Sequence, residues 1–389
     1  SIYGQYTTNS TMNEGMGASI ALDTGIVPLG NMEAVQFHPT ALSPSGILIT
    51  EGCRGDGGYL LDKNMHRFMV DAEPEKQELA SRDVISRHMA RCMHDGNGVE
   101  TEYGPHLWLD VRHLGKRHLL TKLREVHDLC RDFAGLDPVT ELIPVRPTQH
   151  YSMGGVRVNK EGQAYGLAGL FAAGEAACWD MHGFNRLGGN SLAETIVAGR
   201  LVGQSAARHA SGADLDISAS LAMQAVEEAD ARATSWLERS GSGPGVYAIR
   251  DAMAETMLGK VGIFREHDGL VEAIDKLKQL LADCDRAVLR SKAPGANPEL
   301  TFALRLKGML RLALVTAIGA LARCESRGAH FRSDYPVRDD AKWLNRTLAR
   351  WPIDATEPDF SYERVGLLDV PPGHRGYGRA DRIAMRQSV

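Results

Sequence analysis

The stretch His182-Gly183-Phe184-Asn185-Arg186-Leu187-Gly188-Gly189-Asn190-Ser191-Leu192 decides how this 389-residue sequence is interpreted. Two consecutive glycines predict a tight loop, and the Ser191-Leu192-Ala193-Glu194 that follows fits the capping-box pattern of a helix start. We expect this helix to continue to about Ala207. Free N–H groups and the positive end of the helix dipole favour an anion at such a start. The stretch therefore predicts an arginine-bearing loop beside an anion-binding helix terminus.

Two histidines and an arginine stand at turns that are rich in glycine or proline. His38 directly precedes a proline, His150 shortly precedes a Gly-Gly pair, and Arg186 lies in the loop described above. These groups suit a small dianion, because arginine binds one carboxylate through two parallel hydrogen bonds and histidine can donate to the other. They could equally be independent surface or structural residues. At the helix start after Gly189, the anion could be a phosphate or the N1–C2=O edge of a reduced flavin, or the helix could be capped without a ligand.

Three more polar side chains end an apolar run together, and a fourth opens a helix. Thr50, Glu51 and Arg54 follow the predicted strand Ile47-Leu48-Ile49-Thr50. They form either an ion pair that steadies a loop or a proton relay in which Glu51 passes protons between Arg54 and another group. Arg82 follows the N-cap residue Ser81, where the helix dipole disfavours a cation, so its position calls for an explanation.

Composition excludes several classes of protein. The chain is longer than one compact core usually allows, so we expect two to four domains. A net charge of −5 gives no reason to expect nucleic acid as a partner. No apolar run approaches the roughly 18 residues of a membrane span. The six cysteines match no zinc or iron–sulfur spacing, so neither a metal site nor a cluster is predicted.

Periodicity predicts a mixed chain whose first half holds strands and whose second half is helical. Strands are predicted at Met32–His38, which would stop at the following proline, and at Gly169–Glu175. A helix is predicted over residues 117–134. Four long helices follow, at Ala219–Arg239, Ala248–Phe264, Gly269–Asp285 and Leu300–Cys324. The stretch 326–389 is polar and shows little periodicity.

Six motifs in this order resemble the flavoprotein subunit of fumarate reductase and succinate dehydrogenase. They are Phe37-His38-Pro39-Thr40, Thr50-Glu51-Gly52-Cys53-Arg54-Gly55, Ser81-Arg82-Asp83, Arg146-Pro147-Thr148-x-His150-Tyr151-x-Met153-Gly154-Gly155, Ala173-Gly174-Glu175 and the 182–192 stretch. Glu325-Ser326-Arg327-Gly328-Ala329-His330 resembles the same family. The stretch from Cys178 to Phe184 is more similar to the menaquinol-linked fumarate reductases that have a dihaem cytochrome b.

The resemblance implies an α/β + α fold. It would consist of a discontinuous, Rossmann-like FAD-binding domain (partial), an α+β capping domain, a helical domain and an irregular C-terminal domain. The implied limits are 1–39 and 146–210 for the FAD-binding part, 40–145 for the capping domain, 211–330 for the helical domain and 331–389 for the C-terminal domain. The family's G-x-G-x-x-G segment, and the histidine that bonds covalently to the flavin, are expected upstream of Ser1, so the N-terminal part would be absent here.

The resemblance also implies a role for each candidate residue. The catalytic set would be the general acid Arg82, its relay and an assisting histidine: Arg82, Glu51, Arg54 and His38. The substrate-binding set would hold two carboxylates: His38, Thr50, Glu51, His150 and Arg186. The cofactor-binding set would surround the flavin: Glu14, His150, Tyr151, Glu175, Arg186, Asn190, Ser191 and Leu192. Glu14 stands where the family has an acid, often Asp, near the cofactor. Glu175 would hold the ribityl hydroxyls, and the main-chain N–H groups at Ser191 and Leu192 would meet the pyrimidine edge.

The implied function is the interconversion of fumarate and succinate, with hydride passing between FAD N5 and the dicarboxylate. Electrons would be exchanged with an iron–sulfur subunit and with a cytochrome b membrane anchor that reacts with quinone. Iron–sulfur clusters and haem would belong to those partners alone. The chain would lie peripherally on the inner membrane, at its cytoplasmic face, without a span of its own.

Two alternatives remain at this point. One is L-aspartate oxidase, a free-standing flavoenzyme, which the His182–Ser191 variant and the long polar C-terminal stretch disfavour. The other is a truncated, non-catalytic homologue, which is disfavoured because every catalytic position is filled.

Overall fold

The computed structural model describes residues 1–213, 217–293 and 295–366. Part of the predicted C-terminal domain, residues 367–389, lies outside the described residues.

Ten strands occur in the described residues. They are β1 (Leu29–Gly30), β2 (Val35–Leu42), β3 (Tyr59–Leu61), β4 (Val99–Thr101), β5 (Gly104–Asp110), β6 (Ile143–Ser152), β7 (Gly155–Arg157), β8 (Ala177–Cys178), β9 (Asn345–Arg350) and β10 (Asp359–Arg364).

Twelve α-helices accompany them in the same part of the chain. They are α1 (Met16–Asp23), α2 (Gly52–Gly55), α3 (Met69–Ala72), α4 (Arg82–Cys92), α5 (Lys116–Thr121), α6 (Arg124–Ala134), α7 (Asn190–Gly212), α8 (Ala219–Glu238), α9 (Val246–Lys260), α10 (His267–Arg286), α11 (Pro298–Ala322) and α12 (Asp340–Trp343). Short 3₁₀ turns lie at Gln77–Leu79, Arg112–Leu114 and Gly174–Ala176, and a π turn at Met93–Asn97 continues α4.

The strands form two five-stranded sheets. One has the order β10-β9-β1-β7-β8 and is antiparallel except where β7 pairs with β8. The other has the order β2-β6-β5-β3, with β4 added to β5, and is antiparallel throughout. The long β2–β6 pair matters most for the site, because its register places Gln36 opposite Tyr151 and His38 opposite Thr148.

The buried apolar side chains separate into two main cores. One core is built only from side chains between Leu42 and Val145. The other extends from Tyr3 to Trp351 and joins the first sheet to the long helices. We call residues 40–145 the cap and the remaining described residues the body. A separate core for the cap supports the proposed limits of the capping domain, since a domain normally encloses a core of its own.

Strand β2 passes from one main core to the other, and its partner β6 passes from the cap core to a small third cluster. On β2, Phe37 lies in the body core and Leu42 lies in the cap core. On β6, Ile143 lies in the cap core, and Tyr151 packs in a small third cluster with Phe184. The middle of the β2–β6 pair therefore forms the boundary between cap and body.

Helix α4 has one face in each part of the molecule. Val84, Ile85 and Met89 point into the cap core. On another side of the helix, the Ser86 hydroxyl donates to the main-chain oxygen of Phe37 at 3.1 Å. The helix that Arg82 opens thus connects the cap with the strand that carries His38.

Some details differ from the sequence-based expectations. The predicted strand Ile47-Leu48-Ile49-Thr50 is not a strand, since within it only Leu48 forms an isolated bridge, to Ala41. The strand β2 continues through Pro39, because a register shift between His38 and Ala41 relieves this proline of donating to the ladder. Residues 169–175 are not a strand, since Gly169 and Gly174 have φ of +85° and +64° and only Phe171 forms an isolated bridge. The helix predicted over 117–134 is two helices, α5 and α6, separated at a non-helical Leu123.

The four long helices predicted for the second half are present as α8, α9, α10 and α11, close to their expected limits. Within the described ranges, no helix combines the length and the apolar character that crossing a bilayer requires.

Candidate functional site

Two histidines meet where the β2–β6 pair crosses from body to cap. The rings of His38 and His150 lie 5.1 Å apart between centroids and are inclined at 64°. His38 is fully buried, and the main-chain N–H of Thr40 donates to its Nδ1 at 3.2 Å. Because Nδ1 accepts, the proton of the neutral ring must be on Nε2. His150 Nδ1 lies 2.7 Å from the hydroxyl of Thr8.

Arg82 and Glu51 form the closest ion pair of the site. Arg82 is the first residue of α4, and its Nε donates to Glu51 Oε2 at 2.7 Å. An Nη of Arg54 lies 3.8 Å from the same carboxylate oxygen, and another donates to the main-chain oxygen of Glu78 at 2.7 Å. The predicted group of Arg82, Glu51 and Arg54 is therefore contiguous in space.

Burial and mutual charge tune this group. Burial lowers the pKa of Arg54 to about 10. Burial acts to raise the pKa of Glu51, but the hydrogen bond and charge of Arg82 outweigh it and leave the pKa below its usual value. Glu51 is thus ionised at neutral pH and can accept a proton from a guanidinium only transiently, which suits a relay.

The loop of Arg186 passes directly over this ion pair. A Cβ added at Gly188 would lie 3.0 Å from Glu51 Oε1 and 3.5 Å from an Nη of Arg82. The guanidinium carbon of Arg186 lies 5.0 Å from the centroid of the Tyr151 ring, a cation–π distance. A glycine at 188 therefore allows the loop of Arg186 to approach the Arg82–Glu51 pair closely.

Gln36 joins Arg82 and Arg186, although it is not among the residues predicted for the site. Its side-chain nitrogen donates to the main-chain oxygen of Arg186 at 2.7 Å and to Asn185 Oδ1 at 3.0 Å. Its side-chain oxygen accepts from an Nη of Arg82 at 3.3 Å. Gln36 is fully buried. The available signal was a glutamine inside an otherwise apolar strand, which requires a buried polar partner.

Besides two nitrogens of Arg54, three polar nitrogens of the site have no hydrogen-bond partner among the described residues: His38 Nε2, His150 Nε2 and Arg186 Nε. Leaving a buried donor unsatisfied costs ~1–3 kcal/mol, so three in one place indicate a site for an acceptor-rich ligand. The charges of Arg82 and Arg186 both act on His150, after burial, to lower its pKa to about 3. Burial, His150 and Arg82 lower the pKa of His38 in the same way. Neutral imidazoles would therefore donate N–H groups while the guanidinium groups supply positive charge.

The depressed pKa of His150 makes stability depend on pH. Between its ordinary pKa of 6.5 and about 3, the unfolded state binds a proton that the folded state does not. The free energy of unfolding therefore falls as the pH decreases through this interval, by up to ~1.4 kcal/mol per pH unit for one such group. We expect His150→Asn to flatten this slope, measured by urea unfolding between about pH 7 and pH 5. The exposed control His94→Asn should retain the full slope, and an unchanged slope in His150→Asn would contradict the assignment.

Thr50 lies beside the cluster but makes only a local contact in the described residues. Its hydroxyl accepts a hydrogen bond from the main-chain N–H of Gly52 at 3.2 Å, and the residue is exposed. Its role as a substrate ligand stays a prediction.

The predicted cofactor residues line a second region on the body side of the histidines. The Tyr151 hydroxyl donates to Glu194 Oε2 at 2.9 Å, and His182 Nε2 lies 2.8 Å from the same oxygen. Glu175 Oε1 accepts from the main-chain N–H of Ser152 at 2.9 Å, and burial raises the pKa of Glu175.

A cavity of about 500 Å³ opens beside these residues. Its walls include Glu14, Ser152, Gly155 and Glu175. Glu14 is also paired with Arg305, whose Nη donates to its Oε2 at 3.0 Å. An elongated polar ligand fits such a cavity, because carboxylate and main-chain groups face it from several elements.

Helix α7 begins with Asn190, one residue before the predicted start. Gly189 takes the N-cap position with φ of +80°, and no side chain caps the helix start, so Ser191 is not the capping residue. Glycine tolerates the left-handed conformation that this turn needs. Leu192 in the first turn is 73% exposed. The exposed first turn and its N–H groups suit the negative edge of a flavin.

Among the described residues, no cluster of metal-ligating side chains is found.

Family models match both halves of the chain. The FAD binding domain matches residues 1–192, and the fumarate reductase flavoprotein C-terminal model matches residues 250–377. Fold and site thus define an FAD-binding flavoprotein. The flavoprotein of Escherichia coli quinol fumarate reductase, solved as a point mutant, superposes with a TM-score of 0.89 at 37% identity, covering 96% of this chain and 65% of that chain. The chain belongs to the family of fumarate reductase flavoprotein subunits, and the predicted fold class is confirmed.

Curated relatives agree with this assignment. The fumarate reductase flavoprotein subunit of Helicobacter pylori is 47% identical over 96% of this chain and 56% of its own length. The subunit of Mycobacterium tuberculosis is 42% identical over 96% of this chain and 66% of its own length. A structure titled quinol–fumarate reductase with menaquinol molecules has a TM-score of 0.88 at 38% identity, covering 96% of this chain and 66% of that chain. The chain thus spans 56% to 66% of the length of these relatives. Their names favour the fumarate reductase interpretation over L-aspartate oxidase.

Proposed function

We propose that this chain catalyses the interconversion of fumarate and succinate as part of a fumarate reductase or succinate dehydrogenase flavoprotein. The observation that carries the proposal is the convergence of unpartnered nitrogens on His38, His150 and Arg186 beside the Arg82–Glu51 ion pair. Three donors and a nearby guanidinium match the four oxygens of a short dicarboxylate. The family assignment adds a flavin next to them.

Substrate binding would divide the two carboxylates between the two sides of the pocket. The Arg186 guanidinium can donate to one carboxylate, and His150 can donate to it from the neighbouring strand. The protonated Nε2 of His38 would donate to the other carboxylate, with Thr50 as a further candidate donor. Holding both carboxylates against cations polarises the double bond between them, which favours hydride attack.

FAD is the proposed cofactor, and when bound it supplies the hydride. The residues that would hold it lie at the cavity (Glu14 and Glu175), at the start of α7 (Asn190, Ser191 and Leu192) and in the histidine–arginine cluster (His150, Tyr151 and Arg186). The main-chain N–H groups at the start of α7 would stabilise negative charge on the pyrimidine edge. A covalent bond to the flavin would come from a histidine outside this chain's residues.

Arg82 would donate the proton that completes the reduction. The hydride adds to one alkene carbon, the proton adds to the other, and the product is succinate. Arginine is a poor acid, so a group must return its proton at once. Glu51, hydrogen-bonded to Arg82 Nε at 2.7 Å and facing Arg54, is placed to do so. Closure of the cap over the substrate would exclude water and would align Arg82 with the substrate.

The partners and location are proposed from the family. Electrons would pass to or from an iron–sulfur subunit and a cytochrome b membrane anchor that uses a quinone, of the menaquinol-linked type. The clusters and haem would reside on those subunits, and the chain would sit peripherally on the cytoplasmic face of the inner membrane.

Purifying the native complex and measuring both its flavin absorbance and its dye-linked fumarate reduction tests the proposed function. A native protein without bound flavin, or with flavin and no fumarate turnover, would refute it.

Glu51→Gln tests the proton relay while leaving the proposed acid, Arg82, in place. A glutamine keeps a hydrogen bond to Arg82 but cannot accept a proton, so we expect kcat for fumarate reduction to fall by roughly 10²-fold. Binding of a dicarboxylate, measured by the perturbation of flavin absorbance, should change little, because glutamine keeps the hydrogen bond to Arg82 and the substitution removes no cation. Asp56→Asn, on the same turn but paired with His118, is the matched control. A normal kcat in Glu51→Gln would remove Glu51 from the relay.

A further inference from the structure

The cap touches the body through the polar side of α4, and two arginines extend that contact beyond the site. The Arg87 guanidinium carbon lies 5.1 Å from the centroid of the Phe331 ring, and that of Arg91 lies 5.7 Å from Phe264. Both aromatic rings belong to the body. Arg87 also pairs with Asp83 one turn earlier at 3.2 Å. Neither arginine has a role in the proposed chemistry.

One peptide group connects α4, the helix of the proposed acid Arg82, with residues 182–189, which carry Arg186 and which we call the substrate loop. An Nη of Arg87 donates to the main-chain oxygen of Gly328 at 3.1 Å. The N–H of the same peptide, on Ala329, donates to the main-chain oxygen of Phe184 at 2.7 Å. Phe184 is two residues before Arg186, and Arg87 is five residues after Arg82. The Gly328–Ala329 peptide thus stands between the two arginines of the pocket.

Contacts with the body hold the Gly328–Ala329 peptide tightly in place. Gly328 has φ of +56°, and a Cβ there would lie 2.3 Å from the main-chain oxygen of Phe184, so only glycine fits. The Arg323 guanidinium lies 4.5 Å from the centroid of the Phe184 ring, and Arg323 itself is fully buried. Arg323 Nε donates to Glu33 Oε1 at 2.8 Å. The peptide is therefore fixed to the substrate loop, and Arg87 donates to it from the cap.

We propose that Arg87 is a positioning residue that latches α4 to the Gly328–Ala329 peptide and so sets Arg82 at its distance from a substrate held by Arg186. The inference rests on the proposed function, since it concerns the alignment of the same acid. Arg87 touches no reacting atom. When the latch is made, α4 has one fixed position relative to the substrate loop. When it is absent, the helix keeps its cap core and the hydrogen bond from Ser86 to Phe37, but it loses a hydrogen bond that aligns it with the substrate loop.

The latch predicts a split between turnover and binding. In the flavin-loaded native complex, Arg87→Gln should lower kcat for fumarate reduction about 10- to 100-fold, the loss expected from a misplacement of about 1 Å. The affinity for malonate, a dicarboxylate that cannot be reduced, should stay within about twofold, because Arg186 and both histidines remain anchored. Arg87→Lys, which can still donate to the Gly328 oxygen, should recover much of the lost kcat. Arg91→Gln, which removes only the contact with Phe264 and leaves the bond from Arg87 to Gly328, should lose far less kcat than Arg87→Gln.

Hydrogen exchange gives a readout that needs no turnover. Amides of residues 82–92 should exchange faster in Arg87→Gln than in Arg91→Gln, whereas amides of β5, which contributes Leu107 and Leu109 to the cap core, should not. A wild-type kcat in Arg87→Gln, an equal loss of kcat and malonate affinity, or the absence of rescue by lysine would each overturn the latch. If the wild-type complex bound malonate without reducing fumarate, the proposed function would fail, and the exchange comparison would still decide the latch.

Discussion

Arg82→Gln is expected to lower fumarate reduction by at least 10³-fold while the flavin stays bound. The substitution removes both the proton donor and a cation beside the substrate, and each effect alone costs about 10²-fold or more. Glutamine can still meet Gln36 and Glu51 through hydrogen bonds, so the local packing should survive. Stopped-flow or steady-state turnover with a reduced dye, normalised to flavin absorbance, measures the loss.

The matched control is Arg91→Gln, which removes an exposed arginine from the same helix. It should retain most of the wild-type rate and of the wild-type thermal stability. A near-normal rate in Arg82→Gln, with the flavin spectrum intact, would take the general-acid role away from Arg82. Loss of flavin from Arg82→Gln would instead indicate that the substitution disrupts the site as a whole.

The second large effect is expected at the carboxylate anchor. Arg186→Gln should raise the KM for fumarate and lower kcat, so that kcat/KM falls by about 10³-fold. The reason is that a guanidinium both binds a carboxylate through two hydrogen bonds and adds charge that polarises the alkene. Malonate affinity should fall with it, in contrast to Arg82→Gln, where binding should largely persist. Steady-state kinetics and flavin difference spectra together measure both effects.

Arg208→Gln on α7 is the control for this variant, since within the described part of the chain that side chain hydrogen-bonds only to Ser205, at the surface. It should leave kcat/KM unchanged. Arg186→Lys is informative as well, because lysine keeps the charge but not the paired hydrogen bonds, and it should recover only part of the loss. If Arg186→Gln bound malonate as tightly as the wild type, Arg186 would not be the anchor.

Much of the fold was predictable because the strongest patterns are local. The long helices α8 to α11 have extended periodicity, and their limits were close to those expected. The strand predictions were weaker for physical reasons that a pattern does not carry. Pro39 lies inside β2 because a bulge removes the need for its N–H, and the apolar run before Glu175 is interrupted by two left-handed glycines.

The site shows the same division. Polar groups next to turns pointed to His38, Glu51, Arg82 and Arg186, but their convergence could not be read from the residues alone, and the family resemblance supplied it. Gln36 was missed because one glutamine in a strand carries no spacing signal. Its importance appears only when the β2–β6 pairing brings the loop of residue 186 beside it.

The anchoring of strand β2 in both cores has a consequence for how the molecule loses activity. Because Phe37 and Leu42 anchor one continuous strand in different cores, His38 between them belongs fully to neither. Cooperative units with separate cores can open at different temperatures. Partial melting of the smaller unit would pull this strand out of register and scatter the imidazoles while the larger unit stayed folded. The chemistry would then have a lower heat tolerance than the scaffold that supports it.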